Sequence, residues 1–145
     1  MRILVLNGPN LNLLGKREPT IYGHASLDEV NAFIRGYFKK TEIDFFQSNH
    51  EGELLDKLQQ ADHVYGGVVF NPGALTHYAY SLQDAIRAID VPVIEVHLSN
   101  VHGREAFRQK SVVAPVVRGT ISGLGPYGYV LAIRALAHFA KKEKE

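Results

Sequence analysis

The stretch Val91-Pro-Val-Ile-Glu-Val-His-Leu-Ser-Asn100 decides both the fold and the position of a site. It begins with the valines and isoleucine of a buried strand, and its second half carries Glu95, His97 and Ser99 at every second position. Side chains at this spacing share one face of a strand. In an open α/β sheet, ligands bind outside the carboxyl ends of the strands. The stretch therefore predicts a core strand whose carboxyl end contributes to a site.

Short apolar runs alternate with helical patterns on both sides of this stretch. The runs predict strands at residues 3–6, 43–47, 67–70 and 119–122, and the patterns between them predict helices near residues 27–38, 51–61, 77–89, 104–110 and 127–141. Strands that alternate with helices indicate a parallel sheet covered on both faces. We therefore predict a flavodoxin-like three-layer α/β/α fold, with a five-stranded parallel sheet in the order 2-1-3-4-5. No linker or repeat interrupts the pattern, which predicts a single domain over residues 1–145.

Two S-x-x-E segments mark helix starts in this pattern. Ser26-Leu-Asp-Glu29 and Ser48-Asn-His-Glu51 both match the capping box, in which the hydroxyl binds the backbone N–H three residues on. We expect a helix to begin directly after each serine.

In the predicted strand order, the switch point lies between strands 1 and 3. The loops that follow these two strands should form a crevice, with the end of strand 4 beside it. This arrangement predicts that five polar residues share one rim: Asn7, Asn10, Asn71, His97 and Ser99.

Composition excludes several classes of function. Apolar residues make up 46% of the 145, charged residues make up 21%, and the net charge is +1, so no basic stripe predicts a nucleic-acid partner. The absence of cysteine excludes disulfides, thiolate nucleophiles and cysteine zinc sites. The apolar run at residues 3–6 is too short for a signal peptide or a membrane span. We expect a cytoplasmic protein without a membrane partner.

Several motifs have a structural interpretation that is simpler than the functional one. The G-x-G-x-x-G match at residues 123–128 is followed by one helix and then the chain ends, so it predicts a turn rather than a dinucleotide site. A receiver-type phosphoacceptor needs acids where this chain has Asn7 and Asn71. His97 and His102 have no third ligand in register, and we therefore predict no metal site.

Three groups of residues indicate acid–base chemistry on an anion. Glu95 stands two residues before His97 on the same strand face, where a carboxylate fixes the tautomer of an imidazole. The long loop at residues 16–23 resembles a lid, and its Tyr22 either packs on the surface or acts as a base beside Arg17. Arg104 and Arg108, four residues apart, are either a solvent-exposed pair on one helix face or direct one guanidinium at a carboxylate.

Several motifs follow one another in a fixed order along nearly the whole chain. They are Asn7-Gly-Pro-Asn-Leu-Asn-Leu-Leu-Gly15, Arg17-Glu-Pro19, Tyr22-Gly23, Gln47-Ser-Asn49, Asn71-Pro-Gly-Ala74, Thr76-His77 and Glu95-Val-His-Leu-Ser-Asn100. Their resemblance is to one known family, the type II 3-dehydroquinate dehydratases. It implies the conversion of 3-dehydroquinate to 3-dehydroshikimate and water, by anti elimination through an enolate, without metal or organic cofactor. It also implies a homododecamer built as a tetramer of trimers.

The resemblance assigns roles to individual residues. It implies that Tyr22, as tyrosinate, takes the proton from carbon 2, and that Arg17 stabilises the charge. It further implies that Asn10 orients a water molecule and that His97, backed by Glu95, protonates the departing hydroxyl. Substrate hydroxyls and the carboxylate are expected to bind to Asn71, His77, Leu98, Ser99 and Arg108, while Asp84 is expected to reach the site of a neighbouring subunit.

A second hypothesis is a non-catalytic module of the same fold that binds a small anion or nucleotide at the switch point. It accounts for the polar strand ends. It does not account for Arg17 and Tyr22 in the long loop, or for the pairing of Glu95 with His97.

Overall fold

The computed structural model describes residues 1–144. Its sheet has five parallel strands in the order β2-β1-β3-β4-β5, which confirms the predicted fold and strand order. The strands are β1 (Arg2–Asn7), β2 (Glu42–Gln47), β3 (Gly67–Asn71), β4 (Val93–His97) and β5 (Gly119–Ser122). Each predicted strand is present, and the opening stretch contains β4.

Helices follow the strands in chain order. They are α1 (Pro19–Tyr22), α2 (Leu27–Tyr37), α3 (Glu51–Ala61), α4 (Tyr80–Ala88) and α5 (Tyr127–Lys142). Short 3₁₀ turns lie between them at Leu11–Leu13, Gly73–His77, Val101–Gly103, Ala106–Gln109 and Ala114–Val116. No helix in residues 1–144 is both long and apolar enough to cross a membrane.

The central strands are apolar on both faces because helices cover both sides of the sheet. Leu4 and Leu6 of β1 pack in the cluster that includes residues of α3 and α4. Ile3 and Val5, one position away, pack in the opposite cluster with residues of α2 and α5. Full burial of such a side chain contributes about 1.5–3 kcal/mol. A shift of register by one residue would exchange the two sets, so the alternation fixes the position of β1.

The two capping predictions have different outcomes. Ser26 caps α2 as predicted, because its side chain accepts the backbone N–H of Glu29 at 3.2 Å. The prediction for Ser48 is wrong. Helix α3 begins at Glu51 without a side-chain cap, while Ser48 Oγ accepts the N–H of His50 at 2.9 Å and donates to Glu53 at 2.8 Å. The hydroxyl satisfies the turn between β2 and α3 instead of the helix end.

Two predicted helices also differ from the structure. The helix expected from residue 77 begins at Tyr80, because Gly73–His77 first forms a 3₁₀ turn and Ala79 has a non-helical backbone. The helix expected at residues 104–110 is reduced to a 3₁₀ turn that follows an extended Arg104. Arg104 and Arg108 therefore do not share a helix face, and that prediction is wrong.

The loops after β1 and β3 are in direct contact at the carboxyl edge of the sheet. The N–H of Gly8 donates to the carbonyl of Asn71 at 2.7 Å. A Cβ atom on Gly8 would lie 2.6 Å from the carbonyl oxygen of Pro72, closer than any side chain tolerates. Gly73, with φ of 60°, would place a Cβ 3.0 Å from the carbonyl oxygen of Pro9. The crevice floor is thus two loops held in backbone contact.

Candidate functional site

A cavity of about 60 Å³ lies at the carboxyl ends of β1, β3 and β4. Nine of the eleven predicted site residues line it: Asn10, Arg17, Tyr22, Asn71, His77, His97, Leu98, Ser99 and Arg108. Glu95 lies behind His97, and Asp84 lies elsewhere, on the exposed side of α4. The topology thus brings to one place residues from the loop after β1, the loop after β3 and the end of β4.

Glu95 and His97 form a close pair within β4. His97 Nε2 lies 2.5 Å from Glu95 Oε2, and Glu95 is only 1% exposed. The carboxylate also accepts hydrogen bonds from Thr76 at 2.5 Å and from Ser111 at 3.0 Å. Burial opposes ionisation, but the hydrogen bonds from His97 and the two hydroxyls outweigh it, and the pKa of Glu95 lies below its ordinary value. The pair therefore consists of an ionised carboxylate and the imidazole to which it is hydrogen-bonded.

Ser99 lies beyond the strand that was expected to hold it. Strand β4 ends at His97, so Ser99 does not continue the strand face that carries Glu95. Its side chain still lines the cavity, and its Oγ accepts a hydrogen bond from Arg104 at 3.2 Å. His97 and Ser99 thus line the same cavity, although β4 ends before Ser99.

Tyr22, at the end of α1, is flanked by two guanidinium groups. Arg104 Nη1 donates to Tyr22 Oη at 2.7 Å, and Arg17 Nη2 lies 3.4 Å from the same oxygen. The guanidinium carbons of Arg17 and Arg104 lie 4.6 and 5.1 Å from the centre of the tyrosine ring. The Tyr22 hydroxyl therefore lies beside two positive charges at the edge of the cavity.

No sequence pattern predicted the contact between Arg104 and Tyr22. The two alternatives for Arg104 and Arg108 were a solvent-exposed pair and one guanidinium directed at a carboxylate, and both residues line the cavity. However, Arg108 pairs with Glu105, whereas Arg104 reaches across 82 positions of sequence to the tyrosine hydroxyl. The one sequence feature that could have indicated this contact is an arginine five residues after Ser99, in a loop that begins at the site.

Asn7 and Asn71 end neighbouring strands but have different surroundings. Tyr129 Oη donates to Asn7 Oδ1 at 2.6 Å and accepts from Asn71 Nδ2 at 2.9 Å. Asn7 is 1% exposed and does not line the cavity, so the prediction that it lies on the rim is wrong. Asn71 lines the cavity, and its Oδ1 accepts the N–H of Gly73 at 3.1 Å. Burial raises the pKa of Tyr129 far above its ordinary value.

Asn10 and His77 flank the cavity from the loops after β1 and β3. Asn10 has the left-handed φ of 69°, and its N–H donates to Asn49 Oδ1 at 2.9 Å. Asn49 lies in the turn after β2, so this turn holds the backbone of Asn10 in place. His77 Nδ1 lies 2.6 Å from the carbonyl oxygen of Lys110, and its ring meets the edge of Phe107 at 5.6 Å. The first contact holds the backbone of Asn10, and the other two orient the imidazole of His77 beside the cavity.

Metal ligands are not clustered anywhere in the part of the chain that the structure describes. Within residues 1–144, no three side chains of His, Cys, Asp or Glu lie close enough together to hold an ion. The polar side chains at the cavity are instead three guanidinium groups, two imidazoles, a phenol, two amides and the hydroxyl of Ser99.

Fold and site together define a flavodoxin-like α/β protein with an acid–base site and several cationic side chains at its switch point. The family model described as dehydroquinase class II matches residues 1–137. The chain belongs to the class II dehydroquinase family.

Relatives and solved structures agree with this family. A protein of Bacillus licheniformis named 3-dehydroquinate dehydratase is 58% identical over 133 residues, which are 90% of this chain and 92% of that protein. The crystal structure of the type II dehydroquinase from Butyrivibrio crossotus aligns with a TM-score of 0.92 at 48% identity, covering 94% of this chain and 97% of that one. The type II dehydroquinase from Propionibacterium acnes aligns with a TM-score of 0.88 at 42% identity, covering 97% and 96%.

Proposed function

We propose that this chain is a 3-dehydroquinate dehydratase, a hydro-lyase that converts 3-dehydroquinate to 3-dehydroshikimate and water in the shikimate pathway. The observation that carries the proposal is one cavity that holds both a tyrosine between two guanidinium groups and a histidine on a buried carboxylate. Removal of a proton beside a ketone and loss of a hydroxyl need a base and an acid in one site. The family membership and the relatives named above support the same reaction.

Tyr22 is the proposed base. As a phenolate it takes the proton from carbon 2 of the substrate and leaves an enolate. Arg17 and Arg104, both within hydrogen-bonding reach of its hydroxyl, stabilise the phenolate before the transfer. Asn10, on the rim of the same cavity, orients a water molecule toward the enolate oxygen. The loop that carries Tyr22 closes over the bound substrate and so keeps bulk water from the charged groups.

His97 is the proposed acid. It protonates the departing hydroxyl on the opposite side of the eliminated bond, and Glu95 stabilises the imidazolium that precedes the transfer. The carboxylate stays ionised because its pKa is lowered by the groups around it. A positioned acid or base typically contributes about 10²- to 10⁴-fold to the rate. The two groups together therefore supply a large share of the catalysis.

The remaining predicted residues hold the substrate. We assign its carboxylate to Ser99 and Arg108, and its hydroxyls to Asn71 and His77, with the main chain of Leu98 beside them. The cavity suits an anion because Arg108 adds a third guanidinium group to those of Arg17 and Arg104. Arg108 changes its partner in this scheme. It pairs with Glu105 in the structure and with the substrate carboxylate when substrate is bound.

We further propose that the chain is a single catalytic domain that acts in the cytoplasm as a homododecamer of four trimers. Asp84 is exposed and lies outside its own cavity, which fits a residue that completes the site of a neighbouring subunit. Light scattering of the purified protein tests the assembly. A fully active monomer would contradict both the dodecamer and the role given to Asp84.

The reaction itself is tested with purified protein, 3-dehydroquinate and a metal chelator. We expect near-ultraviolet absorbance of the product enone to appear, since no metal or organic cofactor is assigned a step. A folded sample that leaves the absorbance unchanged would refute the proposal. A thermal-shift screen then addresses the binding-module hypothesis, which predicts stabilisation by nucleotides and none by dehydroquinate-like acids.

A further inference from the structure

Two hydroxyl side chains enclose the Glu95 carboxylate on the side away from the cavity. Thr76 Oγ1 donates to Glu95 Oε2 at 2.5 Å. Ser111 Oγ lies 3.0 Å from Oε1 and 3.1 Å from Oε2 of the same group. Thr76 and Glu95 are each 1% exposed. The carboxylate therefore receives the imidazole on one side and two hydroxyls on the other, in a region with little access to solvent.

The orientation of Ser111 is determined by the backbone around it. Its Oγ accepts the N–H of Val113 at 3.1 Å and the N–H of Ala114 at 2.8 Å. A serine hydroxyl has two acceptor positions and one proton. Because both acceptor positions are used, the proton is directed at Glu95 and at Thr76 Oγ1, which is 2.7 Å away. Ser111 is thus held as a donor toward the carboxylate.

Neither hydroxyl lines the cavity assigned to the substrate. Thr76 and Ser111 instead line a second cavity of about 410 Å³, which shares His97, Val101 and Arg108 with the first. Within the site, both hydroxyls hydrogen-bond to the Glu95 carboxylate. We therefore expect an effect of either hydroxyl on turnover to pass through Glu95 to His97.

We propose that Thr76 and Ser111 are positioning residues that fix the Glu95 carboxylate, so that it holds the Nε2 proton of the His97 imidazolium while the Nδ1 proton goes to the departing hydroxyl, which leaves the neutral ring protonated on Nε2 only. This inference rests on the proposed function. The tautomer of a histidine is set by the hydrogen bond that its other nitrogen makes. A carboxylate that rotates, or that takes up a proton itself, no longer selects one tautomer, and the acid is then correctly oriented in only part of the molecules.

Thr76→Val tests the proposal with nearly unchanged side-chain shape. We expect kcat to fall about 10- to 100-fold, as for loss of a hydrogen bond to a charged group, while KM stays within about twofold because Thr76 does not line the substrate cavity. Thr76→Ser keeps the hydroxyl and should restore most of kcat. Ser111→Ala is a second variant in which the same split should appear. Ser81→Ala removes a hydroxyl that donates to Glu51, away from the cavity, and should leave kcat unchanged.

Nitrogen NMR of protein labelled in its histidines gives a readout that needs no turnover. In the wild-type protein the neutral His97 ring should show one protonated and one bare nitrogen, and in Thr76→Val the two signals should move toward each other. Unchanged kcat and unchanged nitrogen signals in folded Thr76→Val and Ser111→Ala, beside an active wild type, would overturn the inference. A wild type without turnover would overturn the proposed function instead, and the nitrogen signals would still decide whether the hydroxyls fix His97.

Discussion

Tyr22 and Tyr129 both approach the carboxyl edge of the sheet, and their hydroxyls have opposite surroundings. Two guanidinium groups flank the hydroxyl of Tyr22, which lies in a half-buried loop at the cavity. Two asparagine amides hold the hydroxyl of Tyr129, which is 0% exposed in the core. Each phenol has two polar partners, so the number of hydrogen bonds does not distinguish them. The partners differ in charge, because the guanidinium groups are cationic and the amides are neutral.

The supporting elements differ in the same way. Tyr22 ends a single helical turn between Glu18 and Gly23, both of which have positive φ. Tyr129 lies in the first turn of the long helix α5, packed among the apolar residues of one core cluster. An element with few buried contacts opens more easily than one in the core. One tyrosine is therefore placed to react, and the other is placed to hold β1 and β3 together.

Replacement of the reactive phenol should have the largest effect. Tyr22→Phe removes the proposed base, and we expect kcat to fall about 10²- to 10⁴-fold, with the fold retained. The measurement is the initial rate of enone formation from 3-dehydroquinate. Tyr129→Phe, the matched change in the core, should keep most of kcat. Equal losses of kcat in the two variants would remove the distinction between these tyrosines.

Arg104→Gln should come next in size. It removes the shorter of the two guanidinium contacts to Tyr22 Oη, and we expect kcat to fall roughly 10- to 100-fold. Arg17→Gln removes the longer contact, at 3.4 Å. Arg134→Gln is the control, because Arg134 donates to Tyr127 on α5, away from the cavity. Wild-type kcat in Arg104→Gln would show that the contact has no part in catalysis.

Tyr129→Phe should lower stability rather than activity. Loss of its hydroxyl leaves Asn7 Oδ1 and Asn71 Nδ2 without that partner in the core, at a cost of about 1–3 kcal/mol. The urea midpoint at fixed protein concentration measures this loss. Tyr127→Phe, at a position that is 38% exposed, should move the midpoint little. A shift in Tyr127→Phe as large as that in Tyr129→Phe would contradict the role given to the buried amide network.

The smallest expected effect concerns protein stability at acid pH. It depends on Glu95, a buried carboxylate with polar partners, as Tyr129 is a buried phenol with polar partners. The pKa of Glu95 is lowered by folding, so its contribution is present above its ordinary value of 4.5 and is lost as pH falls through the lower folded value. The urea midpoint of Glu95→Gln should therefore fall less steeply below pH 4.5 than that of the wild type. Glu42→Gln, at the exposed start of β2, should keep the wild-type slope. Equal slopes in Glu95→Gln and the wild type would contradict the assignment.

The order of the strands was predictable because it depends on patterns that the sequence displays directly. Apolar runs such as residues 3–6 and 67–70 are buried on both faces, and their alternation with helices leaves few topologies. Helix starts were less predictable. Ser26 and Ser48 stand in the same four-residue pattern, yet only Ser26 caps a helix, because Ser48 bonds to the turn after β2. Two local arrangements, the helix cap and the turn before the helix, compete for the same hydroxyl.

The candidate site was predictable where its residues end strands or recur in a family motif. His97 and Asn71 were placed by the ends of β4 and β3. Asn7, the partner of Asn71 on β1, does not line the cavity, although both amides bind the Tyr129 hydroxyl. Arg104 was not predictable at Tyr22, since the contact joins two loops that are distant in sequence. Contacts between loops depend on loop conformation, which no periodicity records.

The backbone contact at Gly8 has a consequence for engineering the specificity of this protein. With the carbonyl oxygen of Pro72 2.6 Å from any added Cβ, position 8 admits no side chain, and the loops after β1 and β3 cannot be diversified independently. A mutant library for altered substrates should hold Gly8 and Pro72 constant and vary the segment around Arg104 instead. That segment borders the same cavity without being part of the shared floor.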